Sequence, residues 1–228
     1  MAENVLRNGS FEEGWTDVVV PGLNQVNQIP MFWGMEWLEP GERLWDSNDE
    51  ARGVPECVHK HMNQLPPNEN PGGEDALILD GEWTYKMFNA NAAWGAQLSQ
   101  VVRGLRPGTI AVLRAPVQAH LHGDTDPWSM EVGFWVNGVG GWHNAGELGD
   151  RDWTTFLQKI TVPADGLVSA LIRVKSKYDN AKDFFIDNVM LVAEIDTDPP
   201  DPPDPPDDGI FEMTVPAGTK QVILNLED

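Results

Sequence analysis

Seven segments, with apolar residues at alternate positions or in β-rich runs, set the limits on how this chain folds. They cover residues 76–79, 96–102, 109–121, 130–137, 154–162, 167–175 and 184–192. Alternation at period two is the mark of a strand with one face in a core and one in water. Arg106-Pro107-Gly108 and Pro163-Ala164-Asp165-Gly166 stand between such segments as turn signals. No stretch holds helical spacing for long. Many short strands joined by turns predict an all-β antiparallel sandwich, not a parallel sheet wound with helices.

The same alternation assigns faces. In 109–122, Leu113, Ala115, Val117, Ala119 and Leu121 fall on one side, and Arg114, Gln118, His120 and His122 on the other. Met130, Val132, Phe134 and Val136 point inward, which leaves Glu131, Trp135 and Asn137 opposite. Arg173 and Lys175 share a face with Leu171. One sheet is therefore expected to carry an outer face that is polar and aromatic, as a ligand-binding sheet does.

Composition divides the chain into a sandwich at 1–195, a linker at 196–209 and a tail at 210–228. The linker reads DTDPPDPPDPPDDG, in which repeated prolines favour polyproline II and six aspartates repel one another. At about 3.1 Å per residue it spans roughly 40 Å, a spacer more than a hinge. The tail holds two β-prone runs, 211–215 and 221–226, about a Pro-Ala-Gly-Thr turn. Nineteen residues cannot bury a core alone. The tail is expected to pair with another domain, or with a neighbouring subunit by strand addition.

Charge narrows the partners. With 36 acidic against 15 basic side chains the net charge is −21, a field that repels nucleic-acid phosphates and anionic membranes. Neutral sugars and divalent cations are compatible with it. Solubility alone is the plainer reading of the same charge. No apolar run approaches the length of a membrane span, so no membrane insertion is expected. The single cysteine, Cys57, rules out an internal disulfide. The first residues lack the basic-then-apolar layout of a secretory signal. An extracellular, cell-surface or virion location then requires a leader already removed or export within a particle. Ten tryptophans exceed what an ordinary core needs, and some are candidates to stack on a flat ligand.

Several ordered elements carry a resemblance. The opening NVLRNGSFEEGW (4–15), GEDALIL (73–79), LSQVVRGLRPGT (98–109) and FIDNVML (185–191) occur in that order. Together they resemble carbohydrate-binding modules of the calcium-containing β-sandwich superfamily, with a jelly-roll, galactose-binding-like fold, over about residues 4–193. The resemblance implies adjacent first and last strands joined by a structural Ca2+. Glu12 and Asp187 would supply carboxylates, and carbonyls near Gly9 and in 73–75 the remaining oxygens, a donor set that suits calcium. The plainer alternative is that both carboxylates cap turns at the sheet edge. The resemblance also implies sugar bound on a sheet or at the loop rim. The sheet candidates are Gln118, His120, Glu131, Trp135 and Arg173, and the loop candidates Trp33, Trp37, Trp83, Tyr85, Trp94 and Trp142. A long insertion at 40–75 departs from the pattern and would oppose sugar binding if it covered the cleft.

Other chemistry is weaker. Cys57, His59 and His61 form Cys-x-His-x-His, and His120 and His122 a second His-x-His pair. On strands these share a face, as a transition-metal site would need, or as ordinary polar positions do. No nucleophile elbow or phosphate loop is present. The expectation is a non-catalytic glycan-binding module. The alternative is a structural virion or filament subunit whose C-terminal tail joins neighbouring copies by strand exchange.

Overall fold

Alternating segments become paired strands in the computed structural model, which describes residues 3–195 and the backbone of 221–225. In chain order the strands are β1 (Glu3–Asn4), β2 (Trp15–Val19), β3 (Val26–Pro30), β4 (Gly34–Trp37), β5 (Glu56–His61), β6 (Trp83–Asn89), β7 (Trp94–Val102) and β8 (Ile110–His120). There follow β9 (Met130–Val136), β10 (Val139–Asn144), β11 (Trp153–Thr161), β12 (Val168–Ser176), β13 (Lys182–Ile186), β14 (Met190–Ala193) and β15 (Gln221–Asn225). Besides two 3-10 turns, Met62–Gln64 and Pro67–Glu69, there is a short α-helix, α1 (Ala145–Leu148), capped by the Asn144 side chain.

Two antiparallel sheets make the sandwich. The smaller runs β10-β9-β12-β7-β4. The larger runs β1-β14-β8-β13-β6-β5, with β11 on the other side of β8 and β15 outside β11. β2 and β3 form a separate hairpin, which Asn27 ties to the Pro55 carbonyl before β5. The first and last strands of the sandwich lie side by side, Glu3 opposite Ala193 and Asn4 opposite Val192.

The predicted inward residues build the core. Leu113, Ala115, Val117 and Ala119 of β8 are buried, as are Met130, Val132, Phe134 and Val136 of β9. Phe134 stacks on Phe156 of the facing sheet at 4.3 Å, and Trp94 meets Phe184 edge-on at 5.6 Å.

Three expectations need correction. Residues 76–79 form no strand: Leu77 packs with Trp153 and Phe185 in a satellite cluster, and the Leu79 amide goes to the Asp187 carboxylate. The segment 184–192 is broken into β13 and β14, with Asn188 at φ 52° between them. Finally, the polar faces of β8 and β9 do not belong to one sheet. β8 pairs with β11, β13 and β14, whereas β9 pairs with β10 and β12. Alternation fixes which way a side chain points but not which strand is its neighbour.

Candidate functional site

The outer face of the five-stranded sheet gathers aromatic and charged side chains from consecutive strands. On one row, register places Gln97 and Gly133 on either side of Arg173, and Trp142 opposite Gly133. Trp135 stands opposite Leu171 on the next row. Gly133 makes the arrangement possible, because a Cβ there would lie 2.2 Å from Trp135 Cη2 and 2.9 Å from Trp142 Cε3. The two indoles fold over the bare backbone and meet edge-on at 5.1 Å.

Trp45 completes the cluster from the loop before β5. Its ring lies 5.5 Å from Trp142 and would be 2.8 Å from a Cβ on Gly95. The residue sits at φ 50°, a left-handed conformation that a bulky side chain adopts only when its surroundings impose it. The 44–50 turn does so: the Leu44 amide donates to Asp49 O at 2.9 Å and Trp45 N to Arg43 O at 2.7 Å. The insertion between residues 40 and 75 therefore contributes a side chain to the face as well as bordering it.

Below the rings lies a paired charge network. Lys175 Nζ is fully buried, 2.7 Å from Asp46, 3.2 Å from Glu131 and 3.7 Å from the Trp142 ring centroid. Lys177 Nζ reaches the same Glu131 carboxylate at 2.6 Å. Burial acts to raise Asp46, but the bond to Lys175 and its charge outweigh it and hold the carboxyl below its ordinary value. Arg173 donates from Nε to Gln97 Oε1 at 2.8 Å, and Gln97 Nε2 donates to Glu36 at 2.7 Å. Its guanidinium carbon lies 5.1 Å from the Trp45 ring and 5.3 Å from that of Trp135. Trp45, Asp46, Gln97 and Lys175 escape a sequence search for the site; Gln97 and Lys175 follow from alternation, whereas Trp45 and Asp46 sit in a turn with no periodic signal.

The remaining candidates lie elsewhere. Trp33 is buried with its Nε1 bonded to the Asn8 carbonyl. Trp94 and Tyr85 are core residues, and Trp37 packs against that core with its Nε1 on Glu39. Trp83 joins Trp15, His59 and His61 in a second aromatic group at the β5–β6 edge. Gln118 and His120 are buried on the outer face of the larger sheet. There Gln118 and Trp153 both donate to the Ala76 carbonyl, and His120 meets Gln118 at 2.9 Å. They seal the 76–79 segment onto the sheet.

The expected calcium ligands are engaged with backbone N–H groups. Asp187 Oδ2 accepts from the Leu79 and Asp80 amides at 2.6 and 3.0 Å, and Oδ1 from Asn188 at 2.6 Å. Glu12 Oε1 accepts from Glu82 and Trp83 at 2.7 and 2.8 Å, and the Gly9 carbonyl from Val189 at 2.9 Å. Backbone N–H donors thus cap these oxygens, where calcium would need further oxygens around them. Burial raises the Asp187 pKa well above its ordinary value despite those three bonds.

The histidines likewise have separate partners. His59 contacts Gln28 and His61 contacts Glu82, while His122 pairs with Asp183. Among the described residues no three His, Cys, Asp or Glu side chains gather as a metal set. A shallow depression of about 430 Å3 lies apart from the aromatic face, lined by residues including Asn24, Glu56, Phe88 and Asn91. Its lining is largely polar and amide-rich. The aromatic face is the stronger candidate, because three half-buried indoles and a guanidinium gather on it.

No protein-family model matches the sequence, and no curated protein matches it. Solved structures similar to the chain include carbohydrate-binding modules of the β-sandwich type. TmCBM61 in complex with β-1,4-galactotriose is 16% identical with a TM-score of 0.48, over 84% of this chain and 99% of that one. The CBM22-1 xylan-binding domain of Paenibacillus barcinonensis Xyn10C is 14% identical with a TM-score of 0.42, over 85% and 96%. The enzymatically active domain of bacteriophage CBA120 tailspike protein 4 is 13% identical with a TM-score of 0.47, over 82% of this chain and 21% of that one.

Proposed function

We propose that the chain is a non-catalytic glycan-binding module, displayed outside the cell or on a virion surface, that holds sugar on the outer face of its five-stranded sheet. One observation carries this reading: Trp45, Trp135 and Trp142 cluster on that face, two of them over Gly133 and the third held there by a left-handed backbone. Indole faces stack on the apolar faces of pyranose rings, while Gln97, Glu36 and Arg173 offer hydrogen bonds that fix orientation. The carboxylates under the rings serve as charge partners. Glu131 is held by two lysines and Asp46 by Lys175, which is not how an acid and a base for glycoside cleavage are poised.

A glycan array with the whole chain tests the reading, repeated with Trp135→Ala and Trp142→Ala. Each substitution is expected to weaken binding by at least about tenfold, with a small change in melting temperature. Undiminished binding by both variants would move the ligand to another surface.

The structural-subunit reading keeps one specific support. Gln221–Asn225 adds to the β11 edge in parallel, Thr154 opposite Gln221 through Gln158 opposite Asn225. In this chain the strand lies on its own sandwich, a partner that the sequence reading does not name; residues 196–220 and 226–228 lie outside the described residues. Strand exchange between copies would use the same edge. Light scattering on the full chain and on a form ending at residue 195 separates the readings: assembly lost with the tail supports a subunit, and a full chain that is already a monomer supports a free module. Calcium is tested apart from these, by melting with the ion and with chelator. A rise abolished by Glu12→Ala would put the ion at that corner, whereas no rise would leave the N–H caps as the closure.

A further inference from the structure

We infer that the glycan taken by this face carries a carboxylate, as a uronic acid does, and that Arg173 is the group that reads it; this rests on the glycan-binding reading above. Arg173 stands on β12, the middle strand of the sheet, half-buried between two indoles. Its only hydrogen bond to the described protein is from Nε to Gln97. Gln97 is itself oriented by Glu36, so the guanidinium plane is fixed from one side.

The two Nη nitrogens are left over. Neither bonds to a described residue, and neither is among the buried polar atoms without partners, so the fork opens to solvent between the rings. The nearby carboxylates are already in use: Glu131 holds Lys175 and Lys177, Asp46 holds Lys175, and Glu36 holds Gln97. Burial acts against the charged form of Arg173 and outweighs Glu36 and Asp46, which favour it from a distance; no described acid comes within ion-pair range of it. A planar guanidinium offering two parallel N–H bonds matches a carboxylate in shape as well as charge. The flanking indoles, proposed above to stack on pyranose rings, make that carboxylate part of a sugar.

The chain's net charge of −21 sets a further condition. Its repulsion is screened beyond about 8 Å at physiological salt, so a single uronate in an otherwise neutral glycan is favoured over a continuous polyanion.

The test is titration calorimetry on the whole chain at 0.15 M salt, as roughly physiological ionic strength, with three matched tetrasaccharides of one linkage. One is neutral, one carries a single uronic acid, and one carries the methyl ester of that acid. The acid is expected to bind roughly tenfold more tightly than its ester or the neutral sugar. Arg173→Gln should level the three, with a larger loss for the acid than for the ester, and Arg173→Lys should keep only part of the preference. Trp135→Ala should weaken all three. Equal binding of acid and ester by the unmodified chain would overturn the carboxylate proposal and leave the glycan reading standing. So would an Arg173→Gln variant, folded by its melting curve, that weakened acid and ester alike. Failure to bind any of the matched set, over several linkages, would overturn both.

Discussion

Trp45 shows at the level of one residue how binding and stability pull apart. Its φ of 50° costs on the order of 1–2 kcal/mol relative to an ordinary conformation. Glycine would accept that conformation freely but remove the ring. Trp45→Gly is therefore expected to keep or slightly raise the melting temperature while glycan affinity falls; a large loss of stability would mean that the ring is there for packing. Buried histidines supply a second residue-scale prediction. Burial lowers both His59 and His120 to about 4 from an ordinary 6.5. The unfolded chain then binds the proton more tightly, so their contribution is present above pH 6.5 and is lost as pH falls toward 4. For each ring the effect is on the order of 3 kcal/mol. Asp187, with its raised pKa, acts in the opposite sense and loses stability as pH rises through that value. Melting curves of the His59→Gln, His120→Gln double variant should show a shallower fall between pH 6.5 and 4 than the parent. An unchanged slope would assign the acid sensitivity to other groups.

At the scale of elements, the central device is Gly133 on β9. Gly133→Ala would push a methyl into both indoles, which can swing toward solvent but then lose their stacking geometry. Affinity is expected to drop by tenfold or more, with a stability cost of about 1–3 kcal/mol as for overpacking; calorimetric titration and a melting curve check it. Much of this element-level picture is legible in the sequence. Alternation sets Glu131 and Trp135 opposite the inward Val132 and Phe134, and puts Arg173 on one face with Leu171 and Lys175. What alternation cannot carry is pairing, and so Gln118 and His120 fall on the opposite sheet, closed in by the 76–79 segment. Nor does an apolar run reveal that its amides bond to a side chain, as those of Leu79 and Asp80 do to Asp187. Tryptophan content pointed to a stacking surface without sorting its members. Trp33 and Trp94 have the same composition signal as Trp135 but are buried in the core, and Trp45 belongs to a turn that no periodicity marks.

The whole molecule joins a sandwich, with the proposed binding face on one sheet, to a tail strand on the edge of the other. β15 covers the β11 edge, which would otherwise offer unpaired backbone groups to other chains. Deleting 221–228 should lower the melting temperature modestly and increase self-association in light scattering, because that edge is uncovered. A truncated chain as monomeric and stable as the parent would show that the edge is protected by other means. No described helix is long and apolar enough to cross a membrane. The ten indole N–H groups offer a direct readout of where a glycan binds. In a glycan titration followed by 1H–15N correlation spectra, assigned with single variants, the signals of Trp45, Trp135 and Trp142 should move while those of Trp33, Trp37 and Trp94 stay fixed. Movement confined to Trp15 and Trp83 would contradict the proposed face and put the ligand at the β5–β6 edge.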